Sequence, residues 1–283
     1  MKEMAKKDVS KAITKVSPQL PVAVPDFMKD EEILGLDALK QFVVPPFIKI
    51  VQKQAGDELL QSFGIGDVIL SPTNAIIAEM PRDNKGRPLD DAKASFKIVP
   101  IFAYPEWLTW NPIELKGTES SIRYRTLDPS DPIATKARAP ALRTEPYPGR
   151  PELKIRHVEH INFVVILYDH PLGTEPCILS FSRGEWKSGS KFAGLIKMRK
   201  ASIFGCVFEA VLGHRKNDKG DWWGFNVCNP EEGSPWVKEE EYEAFKAIHE
   251  EFVKLHAESK LRAAYEPPSI DQDEASTPSN TEF

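Results

Sequence analysis

The chain has 283 residues, of which 41% are apolar, 28% charged and 10% aromatic. That is a globular composition, long enough to bury a sizeable core in one large domain or two small ones. No apolar run reaches the roughly 18 residues of a membrane-spanning helix, so no membrane partner is expected.

The net charge of −5 is unevenly placed. Five acids and no base lie between Glu266 and Phe283, so the tail carries the whole imbalance and the remaining chain is neutral. Nine Lys/Arg face three acids from Phe181 to Lys219, and nine acids face three lysines from Glu231 to Glu258. A basic stretch beside an acidic end suits a polyanion-binding surface with a counterweight. Cys177, Cys206 and Cys228 are odd in number, widely spaced and set in apolar runs. They predict buried thiols in a reducing compartment rather than a disulfide framework. The opening MKEMAKKDVSKAITK has no apolar leader core, and a cytoplasmic location is expected.

In chain order, residues 1–35 predict a flexible, Lys-rich and then proline-punctuated arm (Pro18, Pro21, Pro25). Phe42–Gln52 is an extended entry segment broken by Pro45-Pro46. Gly64–Met80 holds two short apolar runs around Ser71-Pro72-Thr73-Asn74, a hairpin signal. Phe96–Trp110 is a long strand, rich in β-branched and aromatic residues. Residues 111–156 are Pro-rich, polar and basic, and predict a long loop excursion of the kind that is functional when it occurs. Ile161–Asp169 and Cys177–Arg183 predict paired strands. Lys187–Ala201 predicts a short helix, N-capped by Ser188 or Ser190. Ile203–Gly213 and Trp222–Val227 flank a turn at Asn217, Asp218 and Gly220. Residues 237–264 place Tyr242, Phe245, Ile248, Phe252 and Leu255 on one stripe of an amphipathic helix. Residues 265–283 predict a disordered acidic tail.

Strands dominate, their connections are hairpin-like, and one helix falls between strand pairs. The expected fold is mainly β with α additions: an OB-like antiparallel β-barrel, residues 36–264, with a short inserted helix and a long C-terminal helix.

The sequence lacks GxxxxGK[ST], GxSxG and HExxH. His157 and His160 fall on opposite faces of a strand and are expected to be ordinary surface histidines rather than metal ligands. No enzyme, metal or cofactor is expected. The informative pattern is basic residues interleaved with aromatics. Single-stranded nucleic-acid binders need cations for phosphates and flat rings on which bases stack. Arg183, Lys187, Lys191, Lys197, Arg199, Lys200, Arg215 and Lys216 are the expected phosphate contacts. Trp107, Trp110, Trp186 and Trp222 are the expected stacking rings. Phe163, Phe181, Phe204 and Phe208 read as core.

The layout of a core, an acidic tail and a terminal phenylalanine resembles single-stranded DNA-binding proteins of bacteria and of T7-like phages. PPFIKIVQKQAGD, GDVILSPTNAIIAE, FKIVPIFAYPEWLTW and SGSKFAGLIKMRKASIFGCVFEAVLGHRKNDKGDWWGFNV resemble proteins of phage replication and recombination modules. The resemblance implies an OB-like core and sequence-nonspecific binding of single-stranded DNA. It also implies a tail (Asp271, Asp273, Glu274, Glu282, Phe283) that competes for the protein's own basic surface and recruits replication or recombination proteins. Two alternatives remain at this point. One is a phage structural or accessory protein docking through the 237–264 helix; the other is a metal-dependent DNA enzyme.

Overall fold

The computed structural model describes residues 45–261, apart from 54, 90–92, 116–120, 174 and 218–219. The expected N-terminal arm and the acidic tail, with Asp271, Asp273, Glu274, Glu282 and Phe283, lie outside the described residues.

The architecture is mainly β with α additions. Its centre is the antiparallel pair of β4 (Ser95–Trp110) and β7 (Arg150–Leu167), which run together from Ile98↔Leu167 to Trp110↔Arg156 with one irregularity between Pro100 and Phe102. The other strands are β1 (Phe47–Ile50), β2 (Val68–Ser71), β3 (Ala75–Ala78), β5 (Ile122–Thr126), β6 (Thr144–Tyr147), β8 (Cys177–Ser182), β9 (Phe208–Asn217) and β10 (Gly220–Cys228), and a short helix, α1 (Asp57–Ser62), lies between β1 and β2. They form one sheet in the order β10-β9-β4-β7-β8-β1-β2-β3, with β5 on β4 and β6 on β7. All pairs are antiparallel except β1 with β8.

Strand alternation sorts the middle of β7 onto two buried faces. Phe163, Val165 and Leu167 face one core with Leu179, Phe181 and Phe208. Val164 and Ile166 face the other with Val99 and Ile101. Each face is closed by a helix. α3 (Trp186–Arg199) inserts Phe192 into the first core, where its ring lies 4.4 Å from Phe163 and 5.2 Å from Phe208. α4 (Glu239–Ala257) lays Phe245 and Phe252 on the second, flanked by Tyr242, Ile248 and Leu255. The predicted stripe of α4 is thus covered by the chain's own sheet. Three acids in the first turn of α4 complement its dipole.

The expected OB-like barrel is replaced by an open sheet. Among the described residues no backbone ladder joins β10 to the far end of the path. After β1, the side chain of Gln52 bonds to both backbone groups of Trp223 in β10.

Residues 111–156 also differ from the expected loop excursion. They carry β5, β6, the start of β7 and α2 (Pro132–Arg138), whose N-cap Asp131 accepts a hydrogen bond from the Ile133 amide at 2.8 Å. With the far halves of β4 and β7 they form an arm that has its own apolar clusters.

Candidate nucleic-acid interface

α3 begins earlier than Ser188 or Ser190 would place it. Arg183 adopts φ 50° at the end of β8, and a single 3-10 turn, Arg183–Glu185, leads directly into Trp186. No side chain caps this N-terminus. Gly189 lets the helix close on β8, because a Cβ there would lie 2.7 Å from that of Phe181. Lys200, at φ 52°, ends the helix in the left-handed conformation.

The side of α3 away from Phe192 is basic. The helix contains no acid, and Lys187, Lys191, Lys197 and Lys200 are exposed. Among the described residues, no carboxylate lies within ion-pair distance of these four lysines. Lys187, Lys191, Gly194 and Met198 share one stripe by helical spacing. Met198 is 76% exposed and Trp186 39%. The helix is about 21 Å long at 1.5 Å per residue, with Trp186 at its start. At its other end Arg199 lies over the rings of Phe208 and Trp236, at 5.3 and 5.1 Å, and donates to Asn229 Oδ1 at 2.8 Å.

The structure therefore gathers Trp186, Lys187, Lys191, Lys197, Arg199 and Lys200 onto one helix and separates the rest of the expected set. Arg215 is engaged internally. Its guanidinium donates to Glu185, to Ser188, to the Phe225 carbonyl and to Asn226. Trp222 lies against Gly184 and donates its indole N–H to Glu185 at 3.0 Å. These two groups fix the entry to α3, and Glu185 is held by them rather than by the lysines. Lys216 is exposed but, one residue on from Arg215, points to the other face of β9. Arg183 shapes the turn into the helix.

Trp107 and Trp110 are corrections: they are 0% and 3% exposed and offer no face to a base. Trp107 packs on Ala134 and Ala137 of α2, donates to Glu159 at 3.0 Å, and has the Arg138 guanidinium over its ring at 4.7 Å. Trp110 packs with Leu108 and Val158.

The histidines are a second correction, since His157 and His160 are both buried. They do point to opposite faces: His157 meets Thr109 at 3.0 Å, and His160 meets Ser180 at 3.1 Å. Burial lowers the pKa of His157, and burial with the nearby Arg125 pushes His160 down to about 3. Beside His160 lies Glu106, fully buried, accepting from Arg125 Nε at 2.6 Å and from Asn162 at 3.2 Å. Burial, then the charge of Glu106, pushes the Tyr104 hydroxyl above the tyrosine range. Cys177 and Cys206 are buried as expected, and burial raises the pKa of both thiols.

Two exposed groups escaped the sequence reading. Met198 sat inside a helix read for its charges. Trp236, 43% exposed, sat in the segment read as an acidic counterweight.

No curated protein and no solved structure matches this chain. No helix among the described residues is long and apolar enough to cross a membrane. The model of a phage protein family, described as "Pam3 phage gp34-like protein", matches residues 76–258. That span runs from β3 to the end of α4 and takes in both cores, the arm and the basic helix. The match covers well over half of the chain, and the chain belongs to the Pam3 phage gp34-like family.

Proposed function

We propose that this protein binds single-stranded DNA without sequence preference and without catalysis, in phage DNA replication or recombination. The observation that carries the proposal is α3 and its C-cap: exposed Lys187, Lys191 and Lys197 on the helix with Lys200 at its end, no acid, and an exposed tryptophan at its first position. A solvated helix of ordinary composition mixes charges of both signs along its exposed side. A helix whose inner side is locked by Phe192 and whose outer side carries charges of one sign only, all positive, is a rigid track for phosphates, and exposed rings at its ends take bases. The family match makes this a phage protein; the role proposed for it is in phage DNA metabolism, in the cytoplasm of the infected cell. The acidic segment from Glu266 onward supplies five negative charges that compete with DNA for this helix. Asp271, Asp273, Glu274, Glu282 and Phe283 are the residues proposed to recruit replication or recombination proteins.

The test is fluorescence anisotropy of a labelled 30-mer, single-stranded and duplex, over a salt series. Tight single-strand binding is expected to weaken with salt, by about 0.7 log units per log unit of salt for each phosphate contact. Replacing Lys187, Lys191, Lys197 and Lys200 by alanine, one after another, lowers that slope stepwise. Deleting residues 266–283 tightens binding. A full-length protein that binds neither strand nor duplex overturns the proposal.

A further inference from the structure

Where α3 ends, the chain enters a groove of about 640 Å³ between the α3–β9 connection and the first turns of α4. One wall is Trp236. Its position is fixed, because its backbone pairs with Cys206 in an isolated bridge and the flanking Pro235 and Val237 bond to Val207 and Gly205. The facing wall is Tyr242, which rests on Phe204 at 5.2 Å and whose hydroxyl lies 3.4 Å from that of Ser202. Gly205 keeps the floor low, since a Cβ there would stand 3.2 Å from the Tyr242 ring. The outer rim carries Glu239 and Glu243. Arg199, the last residue of α3, lies over the Trp236 ring, and Lys200 follows it.

We propose that this groove receives one nucleobase of the strand held by α3, so the inference rests on the DNA-binding function proposed above. The distribution of charge picks the occupant. The acidic rim repels a phosphate, while carboxylates accept hydrogen bonds from the N–H donors that every base carries on its edge. Cations at the end of α3, immediately before the groove, hold the phosphate outside. A base that enters edge first and lies with its face against Trp236 and Tyr242 then satisfies both the aromatic walls and the polar rim. The strand runs along α3, and its base turns in at the point where the helix stops.

The test compares two labelled 30-mers, one bearing bases and one abasic throughout, on the full chain and on Trp236→Ala. Stacking is worth about 1–3 kcal/mol per base, so Trp236→Ala is expected to weaken the base-bearing complex about 5- to 150-fold. It leaves the abasic complex unchanged, and Trp236→Phe restores most of the loss. If circular dichroism shows the alanine variant unfolded, Glu239→Lys on the exposed rim serves instead. It is expected to lower the ratio of base-bearing to abasic affinity. Unaltered ratios in these variants, with DNA binding still lost on removing the α3 lysines, overturn the base site alone and leave the groove to a protein partner. Failure of the unaltered chain to bind the base-bearing strand overturns the proposed function and this inference together.

Discussion

The side-chain amide of Gln52 behaves toward Trp223 as a neighbouring strand would: its nitrogen donates to the Trp223 carbonyl at 2.7 Å, and its oxygen accepts from the Trp223 amide at 2.9 Å. Trp223 pairs with His214 across β9 and β10, and both of its backbone groups point away from β9. An edge strand with unpaired groups is prone to pair with another chain. Here one glutamine covers it at its centre, and Lys53 reaches Asp221 two residues away at 2.6 Å.

Gln52→Ala removes both half-buried bonds and is expected to cost about 1–3 kcal/mol, at about 0.5–1.5 kcal/mol for each hydrogen bond. Gln52→Glu is at least as harmful at neutral pH, because a carboxylate meets the Trp223 carbonyl with a second acceptor. Protonating that carboxyl restores the donor, so Gln52→Glu regains stability relative to Gln52→Ala as pH falls through the carboxyl range. Urea unfolding at pH 7 and pH 4 checks the order, and hydrogen exchange in β10 reports the loosened edge.

Two glycines on α3 predict opposite outcomes. Gly194 is exposed and a Cβ there would meet nothing within 4 Å, so Gly194→Ala stabilises the protein by about 0.5–1 kcal/mol through helix propensity. Gly189→Ala drives a methyl to 2.7 Å from Phe181 and levers the helix off its core, costing about 1–3 kcal/mol. Thermal melts of the two variants are expected to shift in opposite directions. A rise in both would mean that α3 does not seat on β8 through Gly189.

Glu106 and Arg125 hold the arm to the main sheet across β4 and β5. The carboxylate is buried, and its partner reaches the surface only in part. Arg125→Met strands the acid and is expected to cost about 3–5 kcal/mol. Adding Glu106→Gln removes the charge while keeping an acceptor for Asn162, and is expected to recover more than half of that loss. Chemical denaturation of the two variants measures the recovery. A double variant no more stable than the single one would show that the charge on Glu106 is not what makes the loss.

Much of this fold could be read from the sequence wherever one face decided the residue type. The β2–β3 hairpin, β4, the second half of β7, β8, the β9–β10 hairpin and both long helices follow from alternation, turn residues and helical periodicity. The arm escaped because its signals are polar. Asp131-Pro132 is an N-cap followed by proline at the first helical position, yet among so many prolines it reads as loop punctuation. Trp107 escaped for the same reason: the residues that cover it, Glu159 and Arg138, are themselves charged. The gathering of lysines on α3 was legible because the helix lacks acids. The separation of Arg215 and Trp222 from them was not, since it depends on Glu185 meeting β9 and β10 in space.

His160 gives the protein a built-in acid sensitivity. The buried imidazole is held down at about 3, whereas in an unfolded chain it titrates near 6.5. Between those values the unfolded state binds a proton that the native state does not, so stability rises with pH there. The contribution is fully present above about 6.5 and is lost as pH falls toward 3. The slope approaches about 1.4 kcal/mol per pH unit in the middle of the window. His160→Gln keeps a polar group for Ser180 but cannot take up the proton. Its stability at pH 7 is expected to be lower than that of the unaltered chain, and the gap is expected to narrow on going to pH 4.5, because only the unaltered chain pays the protonation cost. Carboxylates such as Glu145, beside His157, titrate in both proteins, so the difference between the two curves isolates the imidazole. Parallel curves from pH 7 to pH 4.5 would place His160 in contact with water and contradict its burial.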